Sequence, residues 1–440
     1  MKIEENCGIF GFCGNTECFS FLEKGAFNLQ HRGQKFCGIS TSDTKEIYWK
    51  PPLPGLVKEN FGEKDREKFK GNRGIIHVGL KEPQPLLVEK SKLGKFAVAF
   101  SGRISNQEEL EERYNILSSL NPAIEILARI IRKNGSFVEG LEEINKEVEG
   151  GWAIAVLTQK GEIFTARDPY GFRPFVLGKS ITGCAVASES VALNKIGMDI
   201  IRDVKPGEIV SLEPNGFRTV GKIESPREAY CTFEWGYVAH ISTIIEGISV
   251  KRVRANMGAE LAKEDNIEAD IVAGVPMSGI GYAIGYAKES GIPYDEVFGW
   301  NRYSDRSYPR LIQKEREAVA EEKLSEISET IKGNRIILLD DSIVRGTQIR
   351  KLIFRLRKQG AKEVHLRIAC PPLIYPCQYN LSTRTREELI ANRCSIEEIR
   401  KMIGATTLRY NSIDAFIRAI GLPRKKLCLA CFTGDYPDCP

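Results

Sequence analysis

Residues 336–348 read Ile-Ile-Leu-Leu-Asp-Asp-Ser-Ile-Val-Arg-Gly-Thr-Gln, and the rest of the chain is organised around them. Ile336 to Leu339 are a short apolar run, which predicts a buried strand. Asp340 and Asp341 follow at once, and a loop of small residues runs from Ser342 to Thr347. Ile349, Leu352, Ile353 and Leu356 then recur at helical spacing, with Gly360 placed to end the helix. A strand, two acids, a loop and a helix are the parts of a phosphate site. Backbone N–H groups at a helix N-terminus point at an anion, and Gly346 lets that backbone approach closely. Carboxylates at a strand end can hold ribose hydroxyls or a Mg²⁺ carried by a pyrophosphate. A plain strand–turn–helix with two solvated acids would have the same local pattern, so the wider chain has to decide.

The chain has 440 residues, enough for two or three domains with separate cores. Its 42% hydrophobic and 28% charged residues are ordinary for a globular protein. The net charge of +5 comes from mixed signs, with no basic block or recognition helix, so nucleic acid is not an expected partner. No apolar run reaches the length of a membrane span. Met1 to Asn6 is too short and too acidic for a signal peptide, and the expected location is the cytoplasm. The twelve cysteines include one C-x-x-C, Cys428 and Cys431, and their spacing does not suggest a disulfide framework.

Residues 7–220 read as many short apolar strands with two clear helices. Phe21 to Gln30 is one helix. The other follows Asn121, read as an N-cap, with Pro122 at the first helical position. Strands are expected at Ala153 to Leu157, Ile163 to Ala166, Cys184 to Ala187 and Glu208 to Leu212. The C-terminal half alternates strand and helix, as a parallel sheet covered on both faces does. Its first units are the helix Val253 to Lys263, the strand Ile271 to Val275, the loop Pro276-Met277-Ser278-Gly279 and a Gly/Ala-rich helix to Ser290. That loop would face Asp340 to Thr347 at the carboxyl edge of the sheet, where such sheets bind ligands.

The string from Ile336 to Gln348 resembles the phosphoribosyl pyrophosphate (PRPP) motif of type I phosphoribosyltransferases. Its version Leu-Asp-Asp-Ser-Ile-Val-Arg-Gly-Thr is similar to that of the amidophosphoribosyltransferase family. The N-terminal half resembles the same family. Its matches are Asn-Cys-Gly-Ile-Phe-Gly around Cys7, Gln30-His31-Arg32-Gly33-Gln34, Ala166 to Pro174, Ala187-Ser188-Glu189-Ser190 and Val204-Lys205-Pro206-Gly207-Glu208. The resemblance implies a propeptide at 1–6 and an α+β N-terminal-nucleophile, four-layer αββα glutaminase-like domain at 7–228. An α/β type I phosphoribosyltransferase domain would follow at 229–440. It further implies that Cys7, freed by cleavage after Asn6, attacks glutamine with its own α-amine moving the proton. A thiol and an α-amine have nearby ordinary pKa values, which suits that transfer. PRPP would lie on Asp340, Asp341, Ser342, Ile343, Val344, Arg345, Gly346 and Thr347. Arg302 and Tyr303, in a stretch similar to the family's closing loop, would complete its site. Mg²⁺ would be held by Ser278, Asp340 and Asp341. The product would be 5-phosphoribosylamine, at the first step of purine synthesis, made by a homo-oligomer.

Cys428 and Cys431, with Cys377 and Cys231, sit in contexts that resemble the cluster-bearing members of the family, where four thiolates hold a [4Fe–4S] cluster. Soft thiolates also suit Zn²⁺. The departures from the family lie in the glutamine pocket and around the pyrophosphate. Gly79 stands in place of an arginine for the glutamine carboxylate. Ser101 stands in place of an oxyanion-hole asparagine, and Ala123 near the place of an acid for the ammonium group. Lys81, Arg103 and Lys35 are the basic residues available to compensate. Met277 and Trp300 replace an acid and a lysine near the pyrophosphate. Beside the glutamine-dependent transferase, the sequence therefore leaves two other readings. One is an enzyme that takes only ammonia; the other is a non-catalytic PRPP-sensing paralogue.

Overall fold

The computed structural model describes residues 7–116, 119–300, 324–379 and 385–437. The stretch 301–323, which carries the expected Arg302 and Tyr303, lies outside them, as do the expected propeptide residues and Cys439.

The N-terminal half is built on two antiparallel sheets. The first has eight strands, with Gly8–Gly14 between Gly183–Ala187 and Arg73–Gly79 near its centre. The second has six, running from Gly216–Lys222 through Gly150–Thr158 and Phe96–Ile104 to an edge at Leu86–Val88. Side chains alternate across each strand, and the alternation sorts the core. Ile9, Ile75, Ala97, Ala99, Ala153 and Ala155 meet between the sheets. Phe10, Phe12 and Ile76 point the other way, onto the helix Phe19–Phe27 with its Leu22 and Ala26. The helices Pro122–Lys133 and Phe137–Glu147 cover the second sheet with Ile124, Leu127, Ile131 and Ile144. Helix, sheet, sheet, helix is the expected four-layer order. Cys7 shares the strand parity of Ile9, so it opens onto the space between the sheets.

The helix expected at Phe21 to Gln30 runs Phe19–Phe27, with turns filling 28–32. The second helix begins at Pro122 as read, with Asn121 in the N-cap position but without a capping side-chain bond. Asn121 has φ −136° and ψ 56°, its side chain makes no capping bond, and its Oδ1 is buried without a partner. Glu82 caps the helix instead. Its carboxylate accepts the N–H groups of Ala123 at 3.2 Å and Ile124 at 3.3 Å, from a loop forty residues upstream in the chain.

The C-terminal half carries a parallel sheet in the order Ile271–Gly274, Arg335–Asp340, Glu363–Ile368, Thr407–Tyr410. The helices Val250–Lys263, Ile280–Ser290 and Ile413–Ile420 pack on one face, and Thr347–Lys358 and Ile396–Ile403 on the other. Ile336, Ile337, Leu338 and Leu339 are accordingly all buried, as an unbroken apolar strand requires. Two helices of the first face touch backbone to backbone. A Cβ on Gly258 would sit 1.9 Å from the Tyr282 carbonyl oxygen, and one on Gly285 would sit 1.8 Å from that of Ala255. Just past the junction of the halves, Tyr230–Cys231 pairs in parallel with Leu427–Cys428. Among the described residues no helix is long and apolar enough to cross a membrane.

Candidate active sites

The loop between strand and helix forms where the sequence places it. The strand ends at Asp340, and Gly346 takes φ +77° as the residue before the helix Thr347–Lys358. Among the described residues, no hydrogen bond uses the backbone N–H of any residue from Ser342 to Gly346. A row of donors at a helix N-terminus is suited to a phosphate. Ile343 and Val344 are buried by their side chains, so they would serve a ligand only through backbone. Arg345 reaches Glu388 at 2.5 Å, away from the loop.

The neighbouring loop interlocks with this one. Val275 N–H donates to the Leu339 carbonyl at 2.8 Å, and a Cβ on Gly279 would lie 2.0 Å from that same oxygen. Ser278 Oγ donates to Asp340 Oδ1 at 2.7 Å. The acid pair is hydrogen-bonded at its base by Asp341 N–H to Asp340 Oδ1 at 3.0 Å, and Ser342 Oγ donates to Asp341 Oδ2 at 2.5 Å. Asp341 is only 6% exposed. Burial raises the Asp340 carboxyl, against the Ser278 bond. Burial and then the Asp340 charge push Asp341 well above the carboxylate range. A buried and a half-buried carboxylate pressed together, with a hydroxyl beside them, suit a divalent cation. Among the described residues no three His, Cys, Asp or Glu side chains gather about one ion. A Mg²⁺ that arrives with a pyrophosphate needs only one or two carboxylates from the protein. Met277, at the tip of the neighbouring loop, is 74% exposed with φ +70°. A methionine in the left-handed region is strained, and such strain collects at ligand clamps.

Cys7 sits at the mouth of the space between the two N-terminal sheets. Its carbonyl accepts Ser101 Oγ at 2.8 Å and Arg32 Nε at 3.2 Å. Ser101 thus holds the Cys7 backbone, a different task from the oxyanion donor expected at that place. Burial pushes the Cys7 thiol up to about 11; Arg173 and Arg32 oppose this, and Glu82 adds to it. Gly79 leaves no ready room for the missing arginine, since a Cβ there would meet His77 Cε1 at 2.6 Å. Arg103 donates to the Cys377 carbonyl at 2.6 Å, which commits it to the other half of the chain.

The remaining motifs of the N-terminal half are clamps. Ser188 Oγ accepts Ile9 N–H at 2.9 Å and fixes the strand behind Cys7. Asp168 gathers the N–H groups of Trp152, Tyr170, Phe172 and Arg173. Glu189 is buried against Arg32 and His31, which hold it well below the carboxylate range despite its burial. Arg32 also reaches Glu234 at 2.8 Å, and Arg173 lies 3.4 Å from the same carboxylate. Glu234 follows Cys231 by three residues, so this ionic network ties the thiol pocket to the cysteine cavity. No spacing in the sequence reveals the partnership of Arg32 with Glu234, nor that of Glu82 with the Pro122 helix.

Cys231, Cys377, Cys428 and Cys431 line one cavity between the halves, together with Phe172, Arg173 and Tyr379. Burial, then Glu234 and Cys377, push the Cys231 thiol up to about 12. Burial and the thiols of Cys377, Cys428 and Cys231 push Cys431 well above its ordinary value. Tetrahedral Zn–S bonds of about 2.3 Å would draw four sulfurs to roughly 3.8 Å from one another. The sulfurs are not gathered about one ion in this way.

Comparison with known proteins points to one family. Residues 72–195 match the family model described as a glutamine amidotransferase domain. The amidophosphoribosyltransferase of Methanothermobacter thermautotrophicus is 37% identical over 99% of this chain and 95% of its own. That of Bacillus subtilis is 36% identical over 99% and 94%. The solved B. subtilis glutamine PRPP amidotransferase, complexed with ADP and GMP, superposes with a TM-score of 0.89 at 35% identity, covering 98% of this chain and 97% of that one. With an acid pair and phosphate loop at one sheet edge, a cysteine opening between two antiparallel sheets, and relatives alike over almost their whole length, the chain belongs to the amidophosphoribosyltransferase family.

Proposed function

We propose that the chain makes 5-phosphoribosylamine from PRPP and ammonia, and that it draws the ammonia from glutamine at Cys7. The observation that carries the reading is the interlocked pair of loops at the sheet edge, with Asp340 and Asp341 beside the open N–H groups of Ser342 to Gly346. The loop backbone holds the 5′-phosphate, and the strand end faces the ribose. Nitrogen attacks C1 as the C1–O bond to pyrophosphate breaks; the new C–N bond forms, a proton is lost and pyrophosphate departs. Asp340, Asp341 and Ser278 would hold a Mg²⁺, which supplies neutralisation of the departing charge. The acids also favour the positive character that C1 develops.

At the first site the Cys7 thiolate attacks the side-chain amide of glutamine, ammonia leaves, and water releases glutamate from the thioester. Cleavage after Asn6 would put an α-ammonium beside the thiol, and that charge works against the burial that now holds the proton on sulfur. The residues described thus divide at 228/229 into a nitrogen-releasing part and a PRPP part. The four cysteines would hold a [4Fe–4S] cluster as a structural tie between the parts, since Arg103 and Ser105 already bind the backbone of Cys377 and Gln378. The test is release of pyrophosphate from PRPP by purified protein with Mg²⁺. Release should depend on an added nitrogen donor; release at the same rate without any donor counts against the reading.

A further inference from the structure

We infer that Glu82 is the counterion for the α-ammonium group of the amino-acid amide consumed at Cys7, in place of the acid absent at Ala123. The inference rests on the glutamine-dependent reading above and names a subsite within it.

Three charged groups act on the Cys7 thiol: Arg173, Glu82 and Arg32. Both arginines are tied up, Arg32 by Glu189 and Glu234 and Arg173 by Glu234. Glu82 has no such commitment to a cation. Its described bonds go to the N–H groups of Ala123 and Ile124, and the charges acting on it are those of Glu111 and Glu125, both acidic. Burial, opposed by those two bonds, pushes Glu82 up to about 7. A carboxylate in that condition gains from any cation brought to it, and a substrate ammonium is one. The two N–H bonds fix the carboxylate at the start of the Pro122 helix, so the acid lost at Ala123 is supplied in space by the loop after the strand Arg73–Gly79.

His77 gives the pocket an asymmetry. It is fully buried on the same strand face as Gly79, and among the described residues neither ring nitrogen has a hydrogen-bond partner within bonding geometry. Its ring stands where a side chain at 79 would begin. The ammonium end of the substrate therefore has a built partner, whereas the arginine position for the carboxylate end is closed.

The test compares glutamine with 4-carbamoylbutanoate, which is glutamine without its amino group, as substrates for amide hydrolysis. One charge-assisted bond corresponds to roughly ten- to hundredfold in kcat/KM. Wild type should favour glutamine by at least that factor, Glu82→Gln should bring the ratio close to one, and Glu82→Asp should keep part of the preference. The ratio is taken within each variant, so a general loss of folded protein does not move it. An unchanged ratio in Glu82→Gln overturns the inference. So does a wild type that hydrolyses neither amide; if that protein still forms product from PRPP and ammonium, the transferase reading stands while this one falls.

Discussion

Replacing Asp341 with asparagine should make the ligand-free protein more stable and the PRPP site weaker. Asp341 is 6% exposed, its carboxyl touches Ser342 Oγ, and burial with the Asp340 charge raises its proton affinity well above that of a free carboxylate. A group raised in the folded state binds more protons there than in the unfolded chain. Its ionisation therefore removes stability as pH rises from the ordinary carboxylate value through the folded one, at about 1.4 kcal/mol for each pH unit between the two. Asparagine has no charge to bury and keeps the shape, so Asp341→Asn should flatten that part of the pH profile and raise the unfolding midpoint at neutral pH. The same change removes a Mg²⁺-facing charge, and losing one charge-assisted contact of about 1.5–3 kcal/mol should weaken PRPP binding with Mg²⁺ by roughly ten- to hundredfold. Denaturant unfolding between pH 4 and 8 measures the first effect and calorimetry the second. A variant less stable than wild type at pH 7, or one with unchanged affinity, would refute the reasoning, because both effects follow from one buried charge kept for a ligand.

Other outcomes follow from the same geometry. Anaerobically purified protein should be brown, with about four irons per chain; stoichiometric zinc without iron would count against the cluster. Arg32→Met should lower stability by about 3–5 kcal/mol in denaturant titrations, since it strands Glu189 and Glu234 without their buried partner. With its thiol held near 11, Cys7 should react slowly with iodoacetamide at neutral pH while residues 1–6 remain attached. The rate should rise on cleavage after Asn6, and equal rates would show that the α-amine does not act on the thiol.

What the sequence made legible was local. Residues 336–348 carry strand, acids, loop and helix in one unbroken string, so their order could be read directly. The strands of the first half were readable because each declares its own alternation, whereas their four-layer stacking came only from the motif resemblance. The Pro122 helix start and Asn121 at the N-cap position were likewise legible, but the source of the capping bonds was not. The Asn121 side chain makes no capping bond, and the carboxylate that accepts the first N–H groups is that of Glu82, in a loop with no periodicity. The losses at Gly79, Ser101 and Ala123 were visible, whereas the carboxylate placed at Ala123 was not, because a cap supplied across forty residues leaves no spacing signal. Glu234 was hidden for the same reason: a buried ionic network is a property of three segments meeting, and one segment alone reads as an ordinary acid.

Phosphoribosylamine formation from PRPP, measured in wild type and Cys7→Ala with glutamine and separately with ammonium, tests the two-site account most directly. The account predicts that wild type uses both donors and that Cys7→Ala loses glutamine while keeping ammonium. Glutamine-dependent turnover that survives in Cys7→Ala, or PRPP binding with no turnover from either donor, would contradict it.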